Sequence, residues 1–242
     1  MTDLISPPTP EAPAKLSWAA TVRVYLEPAS LRMLALGFAA GLPLLLVLGT
    51  LSFRLREAGI DRATIGFLSW VGLAYAFKWC WAPLVDRLPI PLLTRLLGRR
   101  RSWLLLAQAM VMTGLLGMAF TDPQLALHSV VGFALLVAFG SATQDIALDA
   151  YRIESADTQR QAALAATYQT GYRLAMIWAG AGVLWIAARA EVANVAAYQH
   201  AAWQTAYLVM AATMLVGVFT VLFSPEPARR ELPPARNAAE WL

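Results

Sequence analysis

Residues 31–53 read LRMLALGFAAGLPLLLVLGTLSF, an almost uninterrupted apolar run in which Arg32 and Pro43 are the exceptions to a smooth helical pattern. A helix needs about 20 apolar residues to cross a hydrocarbon core about 30 Å thick. The Gly and Pro residues fit such a helix, because membrane helices tolerate both where neighbouring helices satisfy the backbone. This run therefore predicts a transmembrane helix.

Five further apolar runs predict five more transmembrane helices, at residues 63–84, 102–120, 126–148, 162–188 and 203–223. The whole chain has the same character: 59% of its residues are hydrophobic, 14% are charged, and the mean hydropathy is +0.55. A soluble domain carries about 25% charged residues. We therefore expect an all-α membrane protein with six transmembrane helices.

Proline and polar residues mark both ends of the chain. Residues 1–30 lack the basic, apolar and small-residue order of a cleavable signal peptide, and we expect them to form a disordered cytoplasmic segment. The six-helix bundle is expected over residues 31–224. Residues 225–242 are interpreted as a cytoplasmic linker or tail, because they are rich in proline, alanine and charge.

The basic residues lie between the apolar runs, although the net charge of +4 alone could suggest a nucleic-acid partner. Thirteen of the 19 Lys and Arg residues fall in the two ends and in the second and fourth connections, and four fall in the other connections. This asymmetry predicts that both termini are cytoplasmic and that no nucleic acid is bound. Arg54 is among the four and is interpreted as an outer-loop residue.

Several charged residues fall inside the predicted helices, where an unpaired charge is costly and normally faces a bundle interior or an aqueous cavity. Asp145, Asp149 and Arg152 have i, i+4, i+7 spacing, which places them on one helix face. Lys78 lies near the end of the second helix and Arg173 close to the middle of the fifth.

Each of these charges has more than one interpretation. Asp149 and Arg152 could form a local ion pair at the membrane boundary, and the Lys78 side chain could extend to the interface. Arg173 requires a negative partner, either Asp145 or a negatively charged substrate. The alternative to these structural roles is a polar cavity that binds solute and protons.

The sequence contains few residues for soluble catalysis. Cys80 is the single cysteine and lies in an apolar run, and His128 and His200 have no partners at metal-ligand spacing. There is no P-loop lysine motif and no nucleophile elbow. We therefore expect no catalytic residues, no metal and no cofactor, and neither an enzyme nor an ATP-driven pump.

The second predicted connection contains a charged motif made of Asp86, Arg87, Gly98, Arg99 and Arg100. It resembles the loop-two signature of the major facilitator superfamily, with Ala82 in place of the leading glycine and residues 88–97 inserted. The resemblance implies the N-terminal bundle of that superfamily, a 3+3 inverted repeat, in which this motif acts in conformational change.

More specific segments resemble a single family: GFAAGLP at 37–43, TIGF at 64–67, YAFKWCWAPL at 75–84, GRRRSWLL at 98–105, SATQDIALDAYR at 141–152, GYRL at 171–174 and PEP at 225–227. In order and spacing they resemble the AmpG family of muropeptide permeases over residues 30–240. The resemblance implies proton-driven import of anhydromuropeptides, which are GlcNAc–anhydroMurNAc sugars with attached peptide, across the bacterial inner membrane for peptidoglycan recycling.

Within the segments that carry the resemblance, charge and depth in the membrane give the candidates for substrate binding or proton coupling: Lys78, Gln144, Asp145, Asp149, Arg152, Tyr172 and Arg173. Asp145 and Asp149 would be the proton or gate carboxylates. Lys78 and Arg173 would bind the carboxylates of the substrate. Uptake is therefore expected to suffer far more from Arg173→Ala than from Arg54→Ala.

Members of the family carry a second half of six or more helices, and their cavity lies between the halves. This chain is expected to be an N-terminal half whose partners are the lipid bilayer, a muropeptide or another anionic solute, protons and a C-terminal half. Two alternatives stay open. One is a permease for a different anionic or acylated solute, and the other is a non-transporting, half-length remnant or assembly partner.

Overall fold

The computed structural model describes residues 18–192 and 197–228, and the regular elements of that part are all helical. In chain order they are α1 Trp18–Tyr25, α2 Pro28–Leu45, α3 Leu51–Glu57, α4 Arg62–Leu68, α5 Leu73–Ala76, α6 Ala82–Arg87, α7 Leu93–Leu97, α8 Arg99–Phe120, α9 Pro123–Glu154, α10 Thr158–Ile177, α11 Val183–Ala190, α12 His200–Thr213 and α13 Leu215–Phe223. π-helical turns at Leu46–Thr50 and Trp178–Gly182 join α2 to α3 and α10 to α11 without interrupting the helical path.

Within the described residues, five continuous helices are long and apolar enough to cross a membrane: Pro28–Glu57, Arg99–Phe120, Pro123–Glu154, Arg160–Ala190 and His200–Phe223. They correspond to five of the six predicted runs. The fold class is therefore confirmed, and the chain is an all-α, multi-pass membrane protein. Several of the helices extend beyond the predicted runs, because polar residues at each end continue the helical hydrogen bonding.

The predicted helix over residues 63–84 is not continuous. The chain there consists of α4, a 3₁₀ turn at Ser69–Gly72, α5, a second 3₁₀ turn at Lys78–Cys80, and α6. Phe77 and Trp81 leave helical geometry on either side of that second turn. Pro83 lies in the first turn of α6, where it lacks the N–H donor that would continue the hydrogen bonding of the preceding turn.

This interrupted segment nevertheless extends along the bundle. Just before it, the Ala58 carbonyl accepts a hydrogen bond from Gln124 Nε2 (3.1 Å), beside the turn that follows α8. Just after it, the Leu88 carbonyl accepts one from Trp103 Nε1 (2.9 Å), near the start of α8. These two bonds lie near opposite ends of α8, a 22-residue helix that rises about 33 Å. The interrupted segment therefore extends over about the same length. One continuous helix was the wrong prediction for this segment, and the count of six membrane crossings stays a prediction.

Residues 18–25 and 28–30 are helical, although the sequence suggested disorder over the whole of residues 1–30. The break between α1 and α2 falls at Leu26 and Glu27, and Pro28 opens α2. Proline suits the first turn of a helix, where its missing N–H has no partner to lose, so here it starts a helix instead of marking a coil. Residues 1–17, and residues 229–242 of the predicted tail, lie outside the described part of the chain.

Helices α2 and α10 pack in close contact along most of their length. A Cβ atom at Gly37 would collide with the backbone of Tyr168, and one at Gly171 with the backbone of Leu34. Small residues let membrane helices approach in this way, because van der Waals packing has to replace the hydrophobic effect inside lipid. The contact fixes α10, which carries Tyr172 and Arg173, against α2. Below, the end of the bundle where α8 begins is called the Arg100 end, and the opposite end the Arg54 end.

Candidate functional site

Lys78 and Asp145 form an ion pair inside the bundle. Lys78 Nζ lies 3.6 Å from Asp145 Oδ2, and the two side chains are 37% and 16% exposed. Lys78 belongs to the second 3₁₀ turn of the interrupted segment, and Asp145 lies on α9. The break in helix geometry around Lys78 thus places an ammonium group against the long α9 helix.

Aromatic contacts hold the interrupted segment against α9 beside this pair. The Trp81 and Phe139 rings stack with centroids 4.3 Å apart. Trp81 Nε1 also donates to Thr143 Oγ1 at 3.2 Å. Stacking of this kind contributes about 1 kcal/mol beyond burial. It fixes the backbone three residues from Lys78, so the lysine reaches Asp145 from an ordered position.

Polar atoms of two neighbouring residues on α9, Gln144 and Asp145, have no protein partner in the described part of the chain. The Gln144 side chain is fully buried, and its Oε1 and Nε2 atoms make no hydrogen bond within the described residues. Asp145 Oδ1 likewise makes no hydrogen bond within the described residues. Burying a polar group without a partner costs about 1–3 kcal/mol. Such a cost is typical of a site whose polar atoms are completed by water, protons or a ligand.

Arg173 and Tyr172 lie on α10. The Tyr168 and Tyr172 rings are 6.0 Å apart at their centroids. Arg173 is exposed, and within the described residues no carboxylate lies at ion-pair distance from it. Of the two partners expected for Arg173, Asp145 is thus already engaged by Lys78.

Asp149 and Arg152 make the local contact that the sequence allowed as an alternative. Arg152 Nη2 lies 3.5 Å from Asp149 Oδ1 along one turn of α9, and the Asp149 side chain is about half exposed. A pair of this kind contributes at most about 1 kcal/mol. Asp149 is therefore less constrained than Asp145.

The predicted loop-two motif is organised around Arg100 at the start of α8. Its guanidinium donates from Nε and Nη2 to the two Glu154 carboxylate oxygens, at 3.0 and 2.6 Å, and from Nη1 to Asp86 Oδ1 at 2.6 Å. The Arg100 side chain is 5% exposed. Paired, charge-assisted hydrogen bonds are the strong kind, and they connect the end of the interrupted segment, α8 and the end of α9.

Glu226 completes this network from the other end of the chain. Its two carboxylate oxygens accept from the backbone N–H groups of Arg100 (2.8 Å) and Arg101 (3.1 Å). The carboxylate therefore caps the N-terminus of α8, where negative charge is favoured. Gly98 has φ +90°, and a Cβ atom there would collide with the Glu226 side chain. Arg87 and Arg99 adjoin this network in the chain.

Sequence reasoning identified Asp86, Gly98 and Arg100 but not Glu154 or Glu226 as part of one network. Glu154 gave no signal of its own, because a carboxylate at a helix end is common. Glu226 lies in the PEP segment at 225–227, which the resemblance already singled out. The sequence did not show that Glu226 packs against the start of α8. It also did not show that the Tyr151 hydroxyl donates a hydrogen bond to the Pro225 carbonyl at 2.9 Å.

Arg54 is not the exposed outer-loop residue that the sequence suggested. Its side chain is fully buried at the end of the first transmembrane helix. Its Nη1 and Nη2 atoms donate to the carbonyls of Met118 (2.6 Å) and Thr121 (2.9 Å), at the C-terminal end of α8. The interpretation failed because the helix continues to Glu57, beyond the last residue of the apolar run.

No group of three His, Cys, Asp or Glu side chains in the described residues is arranged to hold a metal ion. The site contains the Lys78 ammonium group, the part-buried Asp145 carboxylate and the buried Gln144 amide without a hydrogen-bond partner in the described residues. Arg173 is exposed on α10. Such a cluster can bind an anionic group and exchange a proton.

The family model described as acetyl-coenzyme A transporter 1 matches residues 31–239. The chain belongs to this family. It is 38% identical over 206 residues to the anhydromuropeptide permease of Escherichia coli K12, which covers 85% of this chain and 39% of the relative.

Other relatives give the same result for the family. The chain is 34% identical over 208 residues to putative transporter AmpG 4 of Rickettsia felis, covering 86% of the chain and 48% of the relative. It is 37% identical over 187 residues to an uncharacterized protein of Haemophilus influenzae, covering 77% and 40%. The predicted resemblance to AmpG permeases is confirmed, and the chain spans less than half the length of these family members.

Proposed function

We propose that this chain is the N-terminal half of a proton-driven importer of anhydromuropeptides in the bacterial inner membrane, with both termini in the cytoplasm. The observation that carries the proposal is the part-buried Lys78–Asp145 pair, in which Asp145 Oδ1 has no hydrogen-bond partner in the described residues. The permease names of the relatives support the substrate class. The site residues support a solute with carboxylates.

In the proposed cycle, Asp145 and the substrate compete for Lys78. While Asp145 is ionised, its carboxylate holds the Lys78 ammonium. A proton binding at Oδ1, which has no hydrogen-bond partner, makes Asp145 neutral and removes most of that attraction. Two unit charges about 4 Å apart interact by about 4 kcal/mol at an effective dielectric constant of 20. Lys78 is then available to a substrate carboxylate.

Release reverses this exchange. Loss of the proton from Asp145 restores its negative charge, which again attracts Lys78 and displaces the substrate carboxylate. Arg173, which is exposed on α10, is proposed to bind a second carboxylate of the peptide. The Gln144 amide and the Tyr172 hydroxyl are proposed to hydrogen-bond polar groups of the sugar. Asp149 and Arg152 are assigned a secondary role, in proton transfer toward the membrane surface.

A second bundle is part of this proposal. Arg173 lies on the exposed surface of the bundle, and a charge at that depth needs a polar surrounding. A C-terminal half that faces α10 would enclose Arg173 in a cavity between the two halves, as in other transporters built from repeats. The loop-two network of Arg100, Asp86, Glu154 and Glu226 would hold one arrangement of the helix ends at the cytoplasmic side.

The test is uptake of labelled anhydromuropeptide by cells that lack their own permease. The chain is expressed alone and together with a six-helix C-terminal half. We expect uptake only with the second half, and we expect Lys78→Gln to abolish it while Arg56→Gln, a change of an exposed arginine at the Arg54 end, leaves it near the wild-type level. Absence of uptake in both cases, despite stable insertion, would favour the non-transporting alternative.

A different anionic solute is the second candidate, because the matching family model is described as an acetyl-coenzyme A transporter. Labelled acetyl-coenzyme A in the same cells separates the two. Uptake of acetyl-coenzyme A, combined with no uptake of labelled anhydromuropeptide, would move the proposal to an acylated nucleotide substrate.

A further inference from the structure

Arg54 connects three transmembrane segments at one end of the bundle. Besides the two carbonyls at the end of α8, its Nε donates to the Tyr198 hydroxyl at 3.1 Å, and its Nη2 lies 3.2 Å from His200 Nδ1 at the start of α12. The guanidinium also lies over the Tyr207 ring, 5.2 Å from the ring centroid. One buried side chain therefore joins α3, α8 and α12.

This cation has no carboxylate at ion-pair distance within the described residues. The two acidic side chains nearby are used elsewhere. Glu57 Oε2 accepts from Trp203 Nε1 at 2.7 Å, and Asp122 Oδ1 accepts from the Gln124 backbone N–H at 2.9 Å, at the start of α9. The charge of Arg54 is instead offset by the carbonyl end of α8, where the helix dipole favours cations.

The contact between Arg54 and His200 fixes the protonation state of the histidine. Arginine has N–H donors and no acceptor, so His200 Nδ1 must accept the hydrogen bond through its lone pair. The imidazole is then neutral, with its proton on Nε2. A protonated imidazole would present a second N–H donor and a second positive charge to Arg54 at the same distance.

The other groups that face these two residues do not replace His200 as an acid-sensitive group. Tyr198 and Tyr207 face Arg54, and the Asp122 carboxylate interacts electrostatically with both Tyr198 and His200. Burial raises the pKa of the Tyr198 hydroxyl above its ordinary value, so this group stays protonated at neutral pH. His200 is the group whose ordinary titration falls between pH 5 and 8.

We propose that Arg54, Tyr198 and His200 form an acid-sensitive clasp, which holds the start of α12 against α3 and α8 while His200 is neutral and releases it when His200 is protonated. The predicted topology places this end outside the cytoplasm. Acidification there would therefore loosen the Arg54 end of the bundle. The clasp does not depend on the identity of the transported solute, so it can be tested apart from transport.

The sequence provides a matched pair of variants, because its two histidines are His128 and His200. His200→Asn places an amide oxygen near the position of Nδ1, which keeps an acceptor for Arg54 but cannot be protonated in this range. His128 is exposed, and His128→Asn is the control. The thermal midpoint of the full chain in lipid nanodiscs is measured from pH 8 to pH 5.

Below about pH 6, the thermal midpoints of the wild type and of His128→Asn are expected to fall by about 3 °C or more. The midpoint of His200→Asn should not show this acid-dependent decrease. Because His200→Asn could fold poorly, histidine-selective ¹⁵N NMR of His128→Asn gives a second measurement on the one remaining imidazole. At pH 8 that imidazole should be neutral with its proton on Nε2. The same acid step in all three proteins, or a proton on Nδ1 at pH 8, would overturn the proposal.

Discussion

At the scale of single residues, Lys78 and Asp145 neutralise each other's charge inside the bundle. An ammonium group and a carboxylate inside a bundle are both costly when isolated, and at 3.6 Å each offsets part of the cost of the other. The Asp145 oxygen atom that does not face Lys78 has no hydrogen-bond partner. A proton can therefore bind at this oxygen atom without breaking a hydrogen bond.

The pH dependence of ligand binding tests this exchange. As the pH falls and Asp145 takes up a proton, Lys78 is released, so the affinity of the wild type for anhydromuropeptide should rise. Asp145→Asn should bind about tenfold more tightly than the wild type at pH 8, with little further change at lower pH. Quenching of tryptophan fluorescence, to which Trp81 beside Lys78 contributes, gives the dissociation constant.

Asp149→Asn is the matched control for that measurement, because Asp149 lies one helical turn farther along α9 and pairs locally with Arg152. It should keep the pH dependence of the wild type. If Asp145→Asn kept the wild-type pH dependence instead, proton binding at Asp145 would not control Lys78.

Arg54 gives a second prediction at this scale. Arg54→Ala removes the hydrogen bonds to the Met118 and Thr121 carbonyls and leaves these buried acceptors without partners. The free energy of unfolding should fall by about 3 kcal/mol. Arg56→Ala, two residues away and exposed, should change it by less than about 0.5 kcal/mol. Denaturant titration of both variants in lipid nanodiscs compares them.

This result bears on the expected contrast between Arg173→Ala and Arg54→Ala in uptake. Since Arg54 is buried, its removal would reduce uptake by destabilising the bundle, and it is not a neutral reference. Arg56 takes its place as the exposed cation of the same helix. Equal unfolding free energies for Arg54→Ala and Arg56→Ala would contradict the buried role of Arg54.

At the scale of helices and their connections, the Arg100 end is held by a network that joins distant parts of the chain. Arg100 binds Asp86 and Glu154, and its backbone N–H is capped by Glu226, 126 residues away in sequence. Gly98 makes this cap possible, since it has positive φ and leaves space for the Glu226 carboxylate. The tail after α13 is therefore part of the bundle at residues 225 and 226.

Gly98→Ala tests this cap. At φ +90° and ψ 170° a side chain is strained by about 1–3 kcal/mol, and the new methyl group would also displace Glu226. We expect the thermal midpoint in nanodiscs to fall by several degrees. Gly132→Ala in α9 is the control, because nothing lies within 4 Å of the added Cβ atom and alanine favours a helix by about 1 kcal/mol. A midpoint for Gly98→Ala equal to that of Gly132→Ala would argue against the cap.

The continuous helices could be predicted from the sequence and the interrupted segment could not. Apolar length alone identifies a membrane helix, because the bilayer sets the required length. The breaks at Phe77 and Trp81 depend instead on packing, such as the stacking of Trp81 on Phe139, which hydropathy does not report. Charge and depth identified Lys78 and Asp145 as candidates, but their pairing required the three-dimensional positions of two segments 67 residues apart.

At the scale of the whole molecule, the charges are distributed between two different environments. Arg100 and Arg54 are buried at opposite ends of the bundle and are fully engaged by carboxylates or carbonyls. Lys78 and Arg173 remain partly or fully accessible. The first pair of cations therefore stabilises the bundle, and the second pair is the one that we propose binds the solute. This division supports a transport site on the side of the interrupted segment, α9 and α10.

The most direct test of a proton-coupled site at Lys78 and Asp145 is uptake into proteoliposomes that contain this chain together with a six-helix C-terminal half. An imposed pH gradient, acidic outside, is the single driving force. The wild type should accumulate labelled anhydromuropeptide above its external concentration, whereas Asp145→Asn should only equilibrate it. Accumulation by Asp145→Asn equal to that of the wild type would contradict the assignment of the coupling proton to this site.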